Sequence, residues 1–227
     1  MYSAPCGAQT LPGTIVTPAG RLELASSLVG RANLANILAA TAASIAYGVP
    51  LELIEQGLRN LKAVPGRFER IDEGQSFLVV VDYAHTDDAL RNVLSTAREL
   101  TRNRLIVVFG CGGERDRAKR PMMGEAAGSL SDLAVLTSDN PRSEDPLLIM
   151  NDALVGLQKA RKPYWAEVDR EKAIRKALEE AREGDVVVLA GKGHETYQVL
   201  KGGPIPFDDR EVARKVLREM GYSGQNS

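Results

Sequence analysis

Leu105-Ile106-Val107-Val108-Phe109, followed at once by Gly110-Cys111-Gly112-Gly113-Glu114-Arg115-Asp116, decides the fold class of this 227-residue chain. Five successive apolar residues leave no polar face, the pattern of a strand covered on both sides, as parallel strands are. Glycines then break the run, and charge follows. The same order recurs outward in both directions. Phe77-Leu78-Val79-Val80-Val81 leads into Asp82-Tyr83-Ala84-His85, and Leu133-Ala134-Val135-Leu136 leads towards Asp139-Asn140-Pro141-Arg142. Val186-Val187-Val188-Leu189 leads into Gly191-Lys192-Gly193-His194-Glu195. Helical patterns over 88–100, 121–129, 147–160 and 170–181 separate and follow these runs, and a hairpin turning at Gly202-Gly203 precedes a last helix over 209–220. Strands alternating with helices predict an α/β, Rossmann-like sheet, mostly parallel, with helices on both faces. Such sheets bind ligands at the carboxyl ends of their strands. All four polar clusters fall there.

Upstream of residue 66 the pattern differs. Short strands at 14–16 and 22–24 join through Thr17-Pro18-Ala19-Gly20. An Ala- and Leu-rich helix over 33–47 reads as buried on Leu34, Ile37, Leu38 and Ile45, and Gly48 ends it. A second helix begins at Pro50 with one stripe of Leu53, Ile54, Leu58 and Leu61. This segment has too little to close a core alone and reads as the tail of a larger domain. Ala63-Val64-Pro65-Gly66 reads as a linker. The expected division is 1–65 and 66–227.

Hydrophobic residues make up 44% and charged residues 26%, a globular balance. The 29 Lys+Arg against 30 Asp+Glu give a net charge of −1, so no global electrostatic case for nucleic acid or an anionic membrane arises. Two histidines and two distant cysteines, Cys6 and Cys111, make no metal cluster, and no metal site is expected in the chain. The longest apolar stretch, from Leu34 to Val49, is too short and too interrupted to span a bilayer comfortably. Met1 to Pro5 lacks the layout of a secretory signal. A cytoplasmic location is the expectation.

Each cluster has a chemical and a plain reading. The glycines at 110–113 let backbone approach an anion, and exposed N–H groups there can bind phosphate or carboxylate. Taken alone, the segment reads equally well as a strand-to-helix turn. It is no P-loop, since no Gly-Lys-Ser/Thr ending follows, and no dinucleotide fingerprint. Cys111 reads as a packed small residue and not a nucleophile. In Asp139-Asn140-Pro141-Arg142 the proline fixes a turn and the guanidinium can grip a carboxylate through two parallel bonds; the plain reading is a capped turn. Gly191 to Glu195 sets three ionisable groups among glycines, or is simply a tight turn. His85 and His194 both lie just past apolar strands, and they and Lys192 receive no assigned role.

In order along the chain, Gly30-Arg31-Ala32-Asn33-Leu34-Ala35-Asn36, Val64-Pro65-Gly66-Arg67-Phe68-Glu69, Asp82-Tyr83-Ala84-His85-Thr86, Phe109 to Asp116, Lys119-Arg120-Pro121, Asp139 to Arg142, Ala190 to Glu195 and Asp208-Asp209-Arg210 resemble the Mur ligase family, in particular its diaminopimelate-adding members. The resemblance runs from about Gly13 onward. It implies the end of a central P-loop ATPase domain followed by a complete carboxy-terminal, amino-acid-binding domain, with an amino-terminal half, its P-loop and most magnesium ligands lying outside this sequence. The implied reaction activates a UDP-MurNAc-dipeptide carboxylate as an acyl phosphate with ATP and Mg2+, and the amine of meso-diaminopimelate then attacks; the chain alone is expected to be inactive. The resemblance gives Arg115, Asp139, Asn140, Pro141, Arg142, Gly191 and Glu195 to the amino acid. It gives Asn33, Asn36, Arg67 and Asp82 to ATP. An amino acid without the distal carboxylate, such as lysine, would leave the site with an unpaired arginine at Arg142 and be rejected. Three positions depart from the family pattern: Asp87 for proline, Glu114 for aspartate and Ser138 for aspartate. The alternatives are a lysine-adding or other Mur-type ligase, a catalytically silent binding module, or, least favoured, a nicotinamide-dependent oxidoreductase.

Overall fold

The computed structural model describes residues 11–224, so the expectations on Met1 to Pro5 and on Cys6 lie outside the described residues. The chain divides into two compact units between Glu69 and Arg70. In the first, β1 (Leu11–Thr17) and β2 (Gly20–Ser26) form an antiparallel hairpin in which Thr17 faces Gly20. The Thr17 hydroxyl donates to the Gly20 carbonyl at 2.8 Å, closing the Pro18-Ala19 turn. α1 (Arg31–Ala46) and α2 (Leu51–Asn60) follow. Ile15, Leu22, Leu24, Leu28, Ile37, Ile54 and Leu58 make this unit's core.

Two expectations fail here. α1 is not a buried helix: only Asn33, Ile37 and Thr41 are buried, while Leu34 and Leu38 are exposed. An i, i+4 row is a single narrow stripe, and the alanines around it offer little surface to cover. In α2 the stripe narrows in the same way to Ile54 and Leu58, leaving Leu53 and Leu61 exposed.

The second unit carries a six-stranded sheet. Its elements are β3 (Glu69–Ile71), β4 (Leu78–Asp82), α3 (Asp87–Leu100), β5 (Leu105–Cys111), α4 (Lys119–Leu130), β6 (Leu133–Ser138), α5 (Pro146–Lys159), β7 (Tyr164–Ala166), α6 (Arg170–Glu180), β8 (Val186–Ala190), β9 (Tyr197–Leu200), β10 (Gly203–Pro206) and α7 (Asp209–Glu219). The strand order is β3-β4-β8-β5-β6-β7, and the pairs from β4 to β7 are parallel. β9 and β10 form a separate antiparallel hairpin. Its turn is Lys201-Gly202, one residue earlier than the sequence pattern places it, and Gly203 pairs with Leu200 and opens β10.

β5, β6 and β8 are buried along their whole length, as unbroken apolar runs require. Val79, Val81, Ile106, Val108, Val187 and Leu189 point to one face, where Ala173, Ile174, Ala177 and Leu178 of α6 and Ala213, Val216 and Leu217 of α7 cover them. α3, α4 and α5 pack on the other. α4 and α5 approach closely through glycine: a Cβ on Gly156 would stand 1.7 Å from the Pro121 carbonyl oxygen. Asp87, at the family's proline position, is the buried first residue of α3, and the Thr86 hydroxyl caps that helix by accepting from Ala89 N at 3.2 Å.

Beneath the strand tips Arg170 of α6 pairs with Asp209 of α7, both side chains fully buried. The guanidinium donates from Nε and Nη2 to the two carboxylate oxygens at 2.8 and 2.6 Å. Nη2 also reaches the Ala190 carbonyl at 3.0 Å, at the end of β8. This geometry satisfies both charges, which is what makes a fully desolvated pair tolerable.

Candidate functional site

Parallel pairing brings the strand ends level: Asp82 lies opposite Ala190, and Cys111 opposite Ser138. The loops that leave these ends surround one cleft of about 370 Å³. Arg115, Asp139, Asn140, Arg142, Gly191 and Glu195 all line it. Of the seven residues expected to hold an amino acid, only Pro141 does not. It is buried, and its carbonyl packs where a Cβ on Gly113 would intrude to 2.0 Å.

The loops after β5 and β6 are laced together. Gly113 N donates to the Asn140 carbonyl at 2.9 Å, and Arg142 Nη1 donates back to the Gly113 carbonyl at 2.6 Å and the Asn140 carbonyl at 3.4 Å. Glu114 N donates to the Glu144 carboxylate, and the Ser143 hydroxyl donates to Glu114 Oε1 at 2.6 Å, which holds that carboxyl below the usual carboxylate range. Arg120, only 2% exposed, anchors the lacing. It binds Glu144 through Nη2 at 2.9 and 3.0 Å and Asp152 through Nη1 at 2.9 Å, and the Glu144 carboxyl is held low mainly by that guanidinium. The N–H groups of Gly113 and Glu114 are thus committed to protein acceptors. At Gly113 the plain reading of the glycine-rich turn prevails, because the residue is there for close approach and not to cradle an anion.

Arg142 sits at φ 55°, a left-handed conformation unusual for a non-glycine residue. Arg142 N donates to the Val199 carbonyl at 2.9 Å, so β9 braces the strained turn. Arg142 is half-buried, and Nη1 is pinned to backbone carbonyls. Nε and Nη2 make no hydrogen bond among the described residues. One edge of the fork is therefore held, and the other is open to the cleft.

The floor is built around Lys192, whose side chain is 0% exposed. Its ammonium donates to Asn140 Oδ1 at 2.9 Å, Glu195 Oε2 at 3.2 Å and Asp139 Oδ1 at 3.3 Å. Asn140 Nδ2 donates to the same Glu195 oxygen at 2.9 Å, and Asn140 Oδ1 also accepts from Val199 N at 2.9 Å. Gln198 Nε2 donates to the Asp139 carbonyl at 2.6 Å. Gly191, at φ 116°, keeps room beside Asp139, whose Oδ2 lies 3.1 Å from where a Cβ would be. Glu195 Oε1 is left without a hydrogen bond among the described residues.

Residues 66–193 match the family model described as Mur ligase, glutamate ligase domain. The chain belongs to the Mur ligase family. A relative from Solibacter usitatus, UDP-N-acetylmuramoyl-L-alanyl-D-glutamate–2,6-diaminopimelate ligase, is 64% identical over 202 residues, which is 89% of this chain and 41% of that protein. The ligase of the same name from Geobacillus thermodenitrificans is 52% identical over 90% of this chain and 42% of its own length. A solved structure of a ligase of that name superposes with a TM-score of 0.70 at 40% identity, covering 93% of this chain and 43% of the other. The chain thus spans about two fifths of the relatives it matches.

Within this Mur ligase chain the residues expected at ATP are divided between the units. Asn33 is 3% exposed, and its amide donates to the Val29 carbonyl at 2.9 Å. Asn36 and Arg67 are exposed. All three lie in the first unit; Asp82, at the end of β4, lies in the second, where Oδ1 accepts from Ala84 N at 2.9 Å. No group of three His, Cys, Asp or Glu residues among the described residues is arranged to hold a metal ion. No helix of the described residues is long and apolar enough to cross a membrane.

The cleft also holds residues the sequence left without a role. Cys111 is buried on its wall, where burial first, and the Asp139 carboxylate second, push the thiol up to about 12. His85 Nδ1 lies 2.8 Å from the Tyr83 carbonyl, and the rings of His85 and His194 stand 4.6 and 5.1 Å from the Tyr83 ring, a small aromatic cluster beside the cleft. Lys192 and Arg120 were missed altogether as organisers. Nothing in the local pattern marks either as buried; Asp139 closes over Lys192 from the loop after β6, and Glu144 and Asp152 over Arg120 from further along the chain.

Proposed function

We propose that this chain is the amino-acid-recognising portion of an ATP-dependent ligase that joins meso-diaminopimelate to UDP-MurNAc-L-Ala-D-Glu in peptidoglycan synthesis. One observation carries the reading: a cleft at the strand tips offers a half-held guanidinium and the amide of Asn140 to a carboxylate, and a free oxygen of Glu195 to an ammonium. Meso-diaminopimelate differs from lysine by a second carboxylate beside its distal ammonium, so those two kinds of group answer its two charges. The names of the relatives support the same reading. Arg115, exposed on the cleft wall with no ion-pair partner among the described residues, adds a second cation for the ligand's other carboxylate.

What the chain contributes to the reaction is delivery. An amine must be held close to an acyl carbon and lose a proton as the amide forms; fixing one end of the ligand leaves its other amine to be presented in one orientation. ATP and magnesium would supply the activation of the dipeptide carboxylate, and Asn33, Asn36, Arg67 and Asp82 are the residues of this chain that would face the nucleotide. Alone, the chain binds and does not ligate. The test joins the chain to the amino-terminal portion of a diaminopimelate-adding ligase and follows ATP-dependent amide formation. Meso-diaminopimelate is accepted and L-lysine refused; equal use of the two by the unaltered protein contradicts the assignment.

A further inference from the structure

We infer that Lys192 is a positioning residue that fixes which edge of the Asn140 amide faces the ligand, and so makes Asn140 a reader of carboxylate. The inference rests on the amino-acid site proposed above. An amide presents an acceptor edge and a donor edge of nearly equal shape, and its orientation follows from its partners. Here the partners leave one solution. Lys192 Nζ, at 2.9 Å, and Val199 N, at 2.9 Å, can only donate, so the oxygen of Asn140 must face them. Glu195 Oε2, at 2.9 Å, accepts, so the NH2 group must face it. The second hydrogen of that NH2 group has no acceptor among the described residues, and Asn140 lines the cleft. Asn140 meets a ligand as a donor.

Lys192 does not itself contact the ligand. An ammonium has three hydrogens, and Asp139, Asn140 and Glu195 take all three. Its burial is complete, so it cannot swing out to solvent. The same ammonium occupies Glu195 Oε2 and leaves Oε1 for the ligand. Without the lysine, Val199 N alone would hold the Asn140 oxygen, and two carboxylates would share the floor with no cation directly between them. The donor edge and the acceptor oxygen then lose their fixed places.

The experiment compares the 227-residue chain with Lys192→Met by calorimetry against meso-diaminopimelate and L-lysine. A loosened fold weakens both ligands alike. A misdirected Asn140 weakens only the ligand whose distal carboxylate it reads. The expected result is a fall of about tenfold or more in the ratio of the two affinities, the scale of one hydrogen bond to a charged group. An unchanged ratio overturns the inference. Should Lys192→Met fail to fold, nuclear Overhauser contacts of the Asn140 side-chain amide in the unaltered, ligand-free chain decide. Contacts to Glu195 and not to the Val199 amide support the inference; the reverse pattern ends it. If the unaltered chain binds neither amino acid, the proposed function fails, and those same contacts still judge the orientation of Asn140.

Discussion

Cys111 shows how a residue on the wall of a ligand cleft can stay outside its chemistry. Its thiol is pushed up to about 12 because the thiolate would be desolvated and would face the Asp139 carboxylate. The sign of the linkage follows: the folded pKa exceeds the unfolded one, so this contribution to stability is complete below the unfolded value and is lost as pH climbs towards 12. At pH 8, in a Cys6→Ser background, Cys111 should react with a thiol reagent only at the rate of unfolding. Prompt labelling of the native chain would show that the wall is open there. Gly113 tests the opposite case, a residue without chemistry on which the chemistry depends. A Cβ there would meet the Pro141 carbonyl oxygen at 2.0 Å and push away the backbone that holds Arg142 Nη1. Gly113→Ala should weaken meso-diaminopimelate binding about tenfold to a hundredfold in calorimetry. Undiminished affinity would show that the Arg142 guanidinium is not held by this route. The four polar clusters were legible from their places after apolar runs. The burial of Lys192 was not, because a lysine between glycines looks solvated until Asp139, Asn140 and Glu195 arrive from two loops.

Among the elements, the long covered strands were readable because continuous Val, Leu and Ile allow little else. β3 and β7 were not. Each has three residues; Glu69-Arg70-Ile71 is mostly charged, and Tyr164-Trp165-Ala166 is too short a run to mark a strand. β7 is an edge strand held by β6, with the Lys176 ammonium 4.2 Å over the Trp165 ring. The misjudged burial of α1 has a different cause, since composition sets hydrophobicity but not which stripe finds a partner. α6 and α7 depend on a pair that sequence could not join, Arg170 and Asp209, 39 residues apart. Replacing Asp209 with asparagine leaves a fully buried guanidinium without its counter-charge, and removing one partner of such a pair costs about 3–5 kcal/mol. The midpoint of urea unfolding of Asp209→Asn should fall accordingly. A midpoint unchanged within error would mean that the pair contributes nothing beyond packing. Because Arg170 also holds the Ala190 carbonyl, Gly191 and Lys192 should be disturbed with it.

On the scale of the molecule, the strand-tip cleft is lined wholly by residues of the second unit. Its lining residues come from loops and strand ends and from the first turns of α4, all between Tyr83 and Glu195. Sequence order alone showed the α/β class, since strands and helices alternate through this unit. The spatial order β3-β4-β8-β5-β6-β7 was not readable, because β8 enters between β4 and β5 through contacts more than 70 residues distant in sequence. The most direct measurement is a titration of the isotopically labelled chain with meso-diaminopimelate, followed by backbone amide resonances without ATP or any other protein. The account predicts saturable shifts confined to Gly112 to Arg115, Asp139 to Arg142 and Gly191 to Glu195. Saturable shifts centred elsewhere, or none at all, would contradict it.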